Sequence, residues 1–420
     1  MKLPIEFLIG LRYLRAKRAS VFVSIITIIS TAGVALGVMA LIVVLAVMTG
    51  FERDLKEKIL STNAHIVVTK NGNPLYDYED LQRELRALPG VEATTPFVYN
   101  QVMLSTGERV AGVVVRGVEP SSDPKVTKLS TNMQHGHYSA LLNASTSTEY
   151  PGILLGTELA RTLGVQVGDQ LNIISPLGTI TPLGMMPKMK PFRVGGIFST
   201  GMYEYDSSIA YIGISQAQRF FDLAGGITGI QLRVTDVYQT PVLVDQINRR
   251  FAPHVVARDW MQMNKNILFA LKTEKAVMFI ILTLIVLVAA FGIASTLFMI
   301  VTEKTRDIAI LKTMGATPSH IMKIFMLVGG VIGAVGTCGG VLSGLLIAHN
   351  LEPIINVIQK ITGKNFFSKD IYYLEHFPSQ VVMADVVSIC ITTMLISFVA
   401  ALYPAWRASR LLPVEALRYE

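Results

Sequence analysis

Charge is scarce in this sequence: Asp, Glu, Lys and Arg make up only 16% of its 420 residues, against about a quarter in a typical soluble domain. Hydrophobic residues reach 51%, which excludes an ordinary soluble globular protein. Cysteine is scarcer still. The two present, Cys338 and Cys390, lie inside apolar runs, which excludes a disulfide framework and any metal-site spacing. Both read as thiols buried in a bundle. Catalytic signatures are missing too: no G-x-x-x-x-G-K-[ST], H-E-x-x-H, G-x-S-x-G or C-x-x-C occurs. The chain reads as a non-enzyme with no nucleotide cradle, cofactor or metal of its own. Its formal charge of +7 comes from basic residues flanking apolar runs. No aromatic-basic stripe accompanies them, so nucleic acid is not an expected partner.

Four stretches are free of Asp, Glu, Lys and Arg: between Arg18 and Glu52, Lys275 and Glu303, Lys323 and Glu352, and Asp385 and Arg407. Each suffices for a helix crossing a hydrocarbon core of roughly 30 Å, which needs about 20 residues. A cleaved signal peptide would be shorter than the first stretch. Spans are therefore expected over 19–51, 276–302, 324–351 and 386–406. Between them lie an amphipathic N-terminal segment over 1–18, an outer domain over 52–275, a short helix over 303–323, an outer loop over 352–385 and a tail over 407–420.

Lys and Arg placement orients these spans. Lys2, Arg12, Arg15, Lys17 and Arg18 precede the first, and Lys304, Arg306 and Lys312 follow the second, with Lys323 at the start of the third. Arg407, Arg410 and Arg418 close the chain. Both termini and the 303–323 segment are expected inside the cell, and 52–275 outside. The spans lack the acidic and basic residues of a proton relay or ion pathway, so energy for transport must come from another subunit.

The outer region reads as α+β. Strand-like runs cover His65–Lys70, Val110–Val118, Gln170–Ser175, Phe192–Phe198 and Ile227–Val234. Helix-like runs cover Glu79–Leu88, Thr157–Leu163 and Thr240–Phe251, with Pro89-Gly90 and Gly164 closing the first two. Leu141–Tyr150 reads as an exposed loop. His135 and His137 could touch a metal only from a strand, and with no third ligand in sight they read as solvated loop residues.

The segment 175–191 stands out as a long hairpin tip. Pro176, Pro182, Pro187 and Pro191 stiffen it and are expected to block continued strand pairing. Yet it carries Leu177, Ile180, Leu183, Met185, Met186 and Met189. A stiff apolar tip is either a partner-binding site, a loop folded back on its own domain, or a segment dipping into the membrane surface.

On the inner side, Ile308, Leu311 and Gly315 recur at helical spacing, as do Ile310 and Met314, with charges between them. Gly315 suits a helix C-cap. Such a short amphipathic helix either offers an apolar patch to a soluble partner or rests on the headgroups. In the third span, Gly329 with Gly333, and Gly336, Gly340 and Gly344, form small-xxx-small sets suited to close helix packing.

Glu303-Lys-Thr-Arg-Asp-Ile-Ala-Ile-Leu-Lys-Thr-Met-Gly-Ala316 resembles the coupling segment of the FtsX/MacB-type ABC permeases. Tyr403-Pro-Ala-Trp-Arg-Ala-Ser409 and Pro413-Val-Glu-Ala-Leu-Arg-Tyr-Glu420 resemble that family's C-terminal signature. Within it, Leu8-Ile-Gly-Leu-Arg-Tyr13, Gly37-Val-Met-Ala-Leu41 and Met48-Thr-Gly-Phe-Glu-Arg53 resemble the lipoprotein-releasing LolC/LolE permeases. The resemblance covers essentially the whole chain. It implies a four-transmembrane-helix ABC permease with a large α+β periplasmic domain between helices 1 and 2, in a Gram-negative inner membrane.

Several roles follow from the resemblance alone. Glu303, Arg306, Ile310, Leu311, Met314 and Gly315 would couple to a separate LolD-like ATPase, which would bind the ATP and Mg. Val44, Met48 and Phe51 would line the site for lipoprotein acyl chains. Pro176, Leu177, Ile180, Pro182, Leu183, Met185, Met186 and Pro187 would form a hook gripping the periplasmic carrier LolA. The hook is a LolC trait, whereas Asn365-Phe-Phe-Ser-Lys-Asp-Ile-Tyr372 and Phe377-Pro-Ser379 look more like LolE. That mixture resembles the hybrid LolF type, so a second identical copy is favoured over a LolE-like subunit. The expected function is ATP-driven lipoprotein release to LolA. Drug or peptide export, cell-wall regulation, and membrane sensing without transport are the rivals.

Overall fold

In a computed structural model of the chain, the described residues are 5–14, 21–70, 74–142, 150–181, 184–363 and 378–412. They fall into two compact units: Met1–Arg53 with Phe269–Phe366 and His376–Glu420, and Asp54–Leu268 with Phe367–Glu375. The helices are α1 Ile5–Leu14, α2 Val21–Thr62, α3 Tyr78–Arg86, α4 Thr157–Leu163, α5 Tyr203–Ser208, α6 Ile214–Phe220 and α7 Thr240–Phe251. They continue as α8 Trp260–Met263, α9 Lys265–Glu303, α10 Thr305–Thr313, α11 Pro318–His349, α12 Leu351–Thr362 and α13 Met383–Ser409. The strands are β1 Ile66–Thr69, β2 Val91–Ser105, β3 Val110–Val118, β4 Met133–Gly136 and β5 Gly152–Gly156. After these come β6 Gln170–Thr181, β7 Gly184–Phe198, β8 Ile209–Gly213, β9 Gly229–Val234 and β10 Val256–Asp259.

Among the described residues, four helices are long and apolar enough to cross a membrane: α2, α9, α11 and α13. Their ends differ from the charge-free stretches. The first helix runs on to Thr62, where Ile59 is fully buried, and α9 begins at Lys265 instead of Lys275. Charge marks where the bilayer ends, and a charged solvated segment of good helix formers continues the helix. Between the second and third spans, α10 stops at Thr313, and α11 already starts at Pro318 and takes in Lys323. The outer loop contains a helix, α12, which the sequence reading placed there as loop only. Its signal is the apolar stripe Ile354, Val357, Ile358 and Ile361 at 3–4-residue spacing.

Glycine packs the membrane unit. A Cβ on Gly329 or Gly333 would collide with Ala401 or Ser397 of α13. One on Gly336, Gly340 or Gly344 would press on Val34, Val38 or Ile42 of α2. The two small-residue sets of α11 thus serve two different neighbours. Because these faces hold the contacts, Cys338 is exposed on an outward face of α11, not buried as the sequence suggested. Cys390 is half-buried. Between α2 and α9, Ser30 Oγ lies 2.7 Å from Thr296 Oγ1 and donates to Gly292 O at 3.1 Å.

The soluble unit is one ten-stranded mixed sheet in the order β10-β1-β9-β2-β3-β8-β5-β7-β4, with β6 pairing both β2 and β7. Its core clusters include Leu104, Ile153, Leu155, Ile173, Phe192 and Ile212 from the strands, with Leu159, Ala217 and Ile247 from the helices. Gly164, at φ 70°, is the left-handed cap of α4 as expected, whereas α3 already ends at Arg86 with the right-handed Ala87 as its cap, ahead of Pro89-Gly90. His135 is exposed on strand β4 instead of in a loop, paired with Ile197 at the sheet edge. Of the expected loop Leu141–Tyr150, residues 143–149 lie outside the described residues.

Candidate functional site

Three places carry the expected functional residues, the first being the short helix α10. Its Ile308 and Ala309 are buried in the membrane unit and Leu311 is half-buried against the same core. Arg306, Ile310 and Met314, spaced i, i+4 and i+8, form the outward stripe, with Glu303 exposed just before it. Ile310 is 44% and Met314 79% exposed. The structure therefore splits the apolar residues in two: Leu311 packs inward, while Ile310 and Met314 stand exposed.

Gly315, at φ 99°, closes α10. Gly315 N donates to Lys312 O at 3.1 Å and Ala316 N to Leu311 O at 2.9 Å, the Schellman pattern that only a left-handed residue completes without strain. Thr317 and His320 then form a capping box that starts α11. Sequence reasoning read Lys312 only as a charge that orients the spans. Its Nζ donates to Ser409 O at 2.6 Å and Leu411 O at 2.7 Å, which satisfies carbonyls at the end of α13. Desolvation holds its pKa below the usual lysine value. Only the pattern of a cation beside a helix C-terminus could have signalled this pin.

The second place is the outer end of α2. Val44, Met48 and Phe51 follow one another at i, i+4 and i+7, and all three are half-buried, while Leu45 and Ala46 beside them are buried. They form one accessible stripe of the helix. Next to Met48, Thr49 Oγ1 accepts from Lys275 Nζ at 3.2 Å, and Lys275 also pairs with Asp385 Oδ2 at 3.0 Å. This clasp joins α2, α9 and α13. The chain before α13 adds to it: Gln380 N donates to Ala46 O at 2.9 Å, and a Cβ on Gly50 would collide with the Pro378–Ser379 backbone.

The third place is the β6–β7 hairpin. The prolines do not block pairing as expected. The ladder runs from Gln170↔Arg193 to Ser175↔Lys188 and resumes at Thr179↔Met186, ending with Thr181↔Gly184. Three residues, 176–178, face the single Pro187 across the interruption, so the irregular stretch absorbs the missing donors. Pro191 sits where the other edge of β7 has no partner, because β5 pairs only from Arg193 onward.

Pro182 and Leu183 lie outside the described residues, as do the side chains of Pro176, Leu177, Ile180, Met185 and Met186; Pro187 is exposed. Lys188 Nζ pairs with Asp222 at 2.7 Å and Lys190 Nζ donates to Gln216 Oε1 at 2.8 Å, tying the hairpin base to α6 and the turn after it. Burial, then the nearby Arg219 and Lys188, push the Lys190 pKa down. These anchors were not read from the sequence.

Residues 27–250 match the MacB-like periplasmic core domain and residues 279–413 the FtsX-like permease C-terminal family. The chain is 40% identical to the lipoprotein-releasing system transmembrane protein LolC of Neisseria meningitidis serogroup B over 99% of both chains. It is 39% identical to LolC of Xylella fastidiosa strain Temecula1 over 99% of both, and 30% identical to LolE of Haemophilus influenzae over 98% of both. Among solved structures, the periplasmic region of MacB from Actinobacillus actinomycetemcomitans is 13% identical with a TM-score of 0.34, covering 50% of this chain and 94% of that one. Four membrane-spanning helices, a MacB-like periplasmic core domain and full-length likeness to LolC together show that the chain belongs to the LolC/LolE family of FtsX/MacB-type permeases.

Proposed function

We propose that the chain is the permease subunit of an ATP-driven complex that extracts lipoproteins from the inner membrane and passes them to a periplasmic carrier of the LolA type. The observation that carries this reading is the full-length similarity to LolC proteins at 40% identity. The outward Ile310–Met314 patch supports a separate LolD-like ATPase as the motor. That ATPase would bind MgATP, and Glu303, Arg306 and Gly315 would shape the docking surface. The Lys and Arg pattern supports placing both termini and α10 on the cytoplasmic side.

Val44, Met48 and Phe51 would meet the acyl chains as they enter between α2 and α9. Methionine suits this because its flexible thioether fits varied apolar shapes. The Lys275–Asp385 pair would hold the spans together beside that path. Extraction needs coupling to ATP because each buried CH₂ resists transfer by about 0.8 kcal/mol. The β6–β7 hairpin would receive the carrier. Its hook, found with a LolE-like 365–379 segment, supports two identical permease copies over a pair with a LolE-like subunit.

The test is reconstitution of the chain with its ATPase in liposomes loaded with a lipoprotein. ATP-dependent release that needs the carrier is expected. ATP-dependent export with no carrier requirement would assign the chain to drug or peptide transport instead.

A further inference from the structure

Away from the expected acyl-chain stripe, α1, α11 and α13 enclose a cleft of about 670 Å³. Its length follows α11 from Ser319 to Ala334, about 22 Å of helix at 1.5 Å per residue, which exceeds the depth of one leaflet of about 15 Å. The walls are apolar and adaptable: Met322, Met326, Met394 and Phe398 line them. Polar groups gather at one end only, where Glu6 and Lys323 stand at the mouth with Ser319.

The two charges at the mouth are poorly compensated. Glu6 is largely buried, its side chain 19% exposed, and its ion-pair partner is His320 at 3.8 Å, which carries charge only when protonated. Lys323 is exposed and has no ion pair among the described residues. A half-desolvated carboxylate asks for a cationic donor, and a free ammonium at the membrane surface asks for an anion. A long apolar trough with an acid and a base side by side at one end has the profile of a zwitterionic amphiphile.

We propose that this cleft is a binding site for a phospholipid with a primary-amine headgroup. One acyl chain lies along α11 from Met322 to Ala334, the phosphate sits on Lys323, and the ammonium donates to Glu6. A helix from a second copy of the chain would fill the apolar walls and leave Glu6 without a cation. The site places the lipid in the inner leaflet through the orientation proposed above. Lipid retention in detergent depends neither on that orientation nor on the ATPase or carrier, so failure of the release function would leave this proposal standing, and the reverse holds.

The experiment is native mass spectrometry of the full chain equilibrated in detergent with phosphatidylethanolamine, phosphatidylglycerol or phosphatidylcholine. The wild type is expected to retain phosphatidylethanolamine severalfold over the other two. Gly330→Phe fills the cleft, because among the described residues a Cβ there would meet only Phe398, at 3.9 Å. It should cut retention of every lipid to background while the thermal unfolding midpoint stays near wild type. Glu6→Gln should keep total retention and lose the preference for phosphatidylethanolamine over phosphatidylcholine, which answers the question even if Gly330→Phe does not fold. Equal retention of all three lipids by the wild type, or an unchanged preference in Glu6→Gln, would overturn the proposal. So would a folded Gly330→Phe protein that holds lipid as the wild type does, or one that loses a second protein copy instead of lipid.

Discussion

In the soluble unit, large side chains such as Phe192, Leu155 and Ile153 meet one another in the core. In the membrane unit, α11 meets α2 and α13 through Gly329, Gly333, Gly336, Gly340 and Gly344. The difference follows from the solvent. In water, burying apolar surface contributes about 25 cal/mol per Å², so bulk is rewarded. In lipid the tails are as apolar as leucine, and what remains is close backbone contact and a few polar pins. Those pins are Ser30–Thr296 inside the bundle, Lys275–Asp385–Thr49 at its outer end, and Lys312 on the carbonyls at the end of α13.

Each unit holds one of the chain's two tryptophans, Trp260 in the soluble unit and Trp406 in the membrane unit, so the contrast can be read separately in Trp406→Phe and Trp260→Phe backgrounds. Leu155→Ala should lower the stability of the soluble unit by about 2–5 kcal/mol through the cavity it leaves, seen in urea titrations of Trp260 fluorescence with the Trp406 transition unmoved. Gly340→Leu should do the reverse. It costs the membrane unit about 1–3 kcal/mol or more by overpacking against Ala35 and Val38, with the Trp260 transition unchanged.

Lys312→Ala should cost about 1 kcal/mol locally, the scale of one hydrogen bond with part of its charge screened by solvent. Its larger consequence is a loose α10, measured as weaker binding of the ATPase to the purified permease. Lys312→Arg should restore part of it. Ser30→Ala is the smallest, about 0.6 kcal/mol by the usual worth of an interhelical hydrogen bond in membranes, measured as a small shift of the Trp406 transition. If Ser30→Ala cost more than Gly340→Leu, close glycine packing would not be what holds the bundle.

Much of this was legible in the sequence, for reasons that also explain the gaps. Charge-free stretches located four spans because a bilayer core excludes charge. The charges that ended them were read only as boundaries, and Lys275 and Asp385 prove to be each other's partners. Periodicity grouped Ile308 with Leu311 and Ile310 with Met314, yet spacing alone does not say which pair faces inward; packing decided that. Strands β3 and β9 were found, whereas β5 and β8, Gly152–Gly156 and Ile209–Gly213, were missed. Both are central strands covered on two faces and lack the polar alternation that announces a half-exposed strand. The prolines of the hairpin were read as breakers, but a three-residue irregularity and an unpaired edge accommodate them.

The central claim is that α10 meets the motor and the β6–β7 hairpin delivers to a carrier. It is tested most directly by deleting Thr179–Met186 and measuring ATP hydrolysis and lipoprotein transfer together in proteoliposomes. The account predicts hydrolysis near the wild-type rate with transfer to the carrier abolished. Transfer that survives the deletion would contradict it.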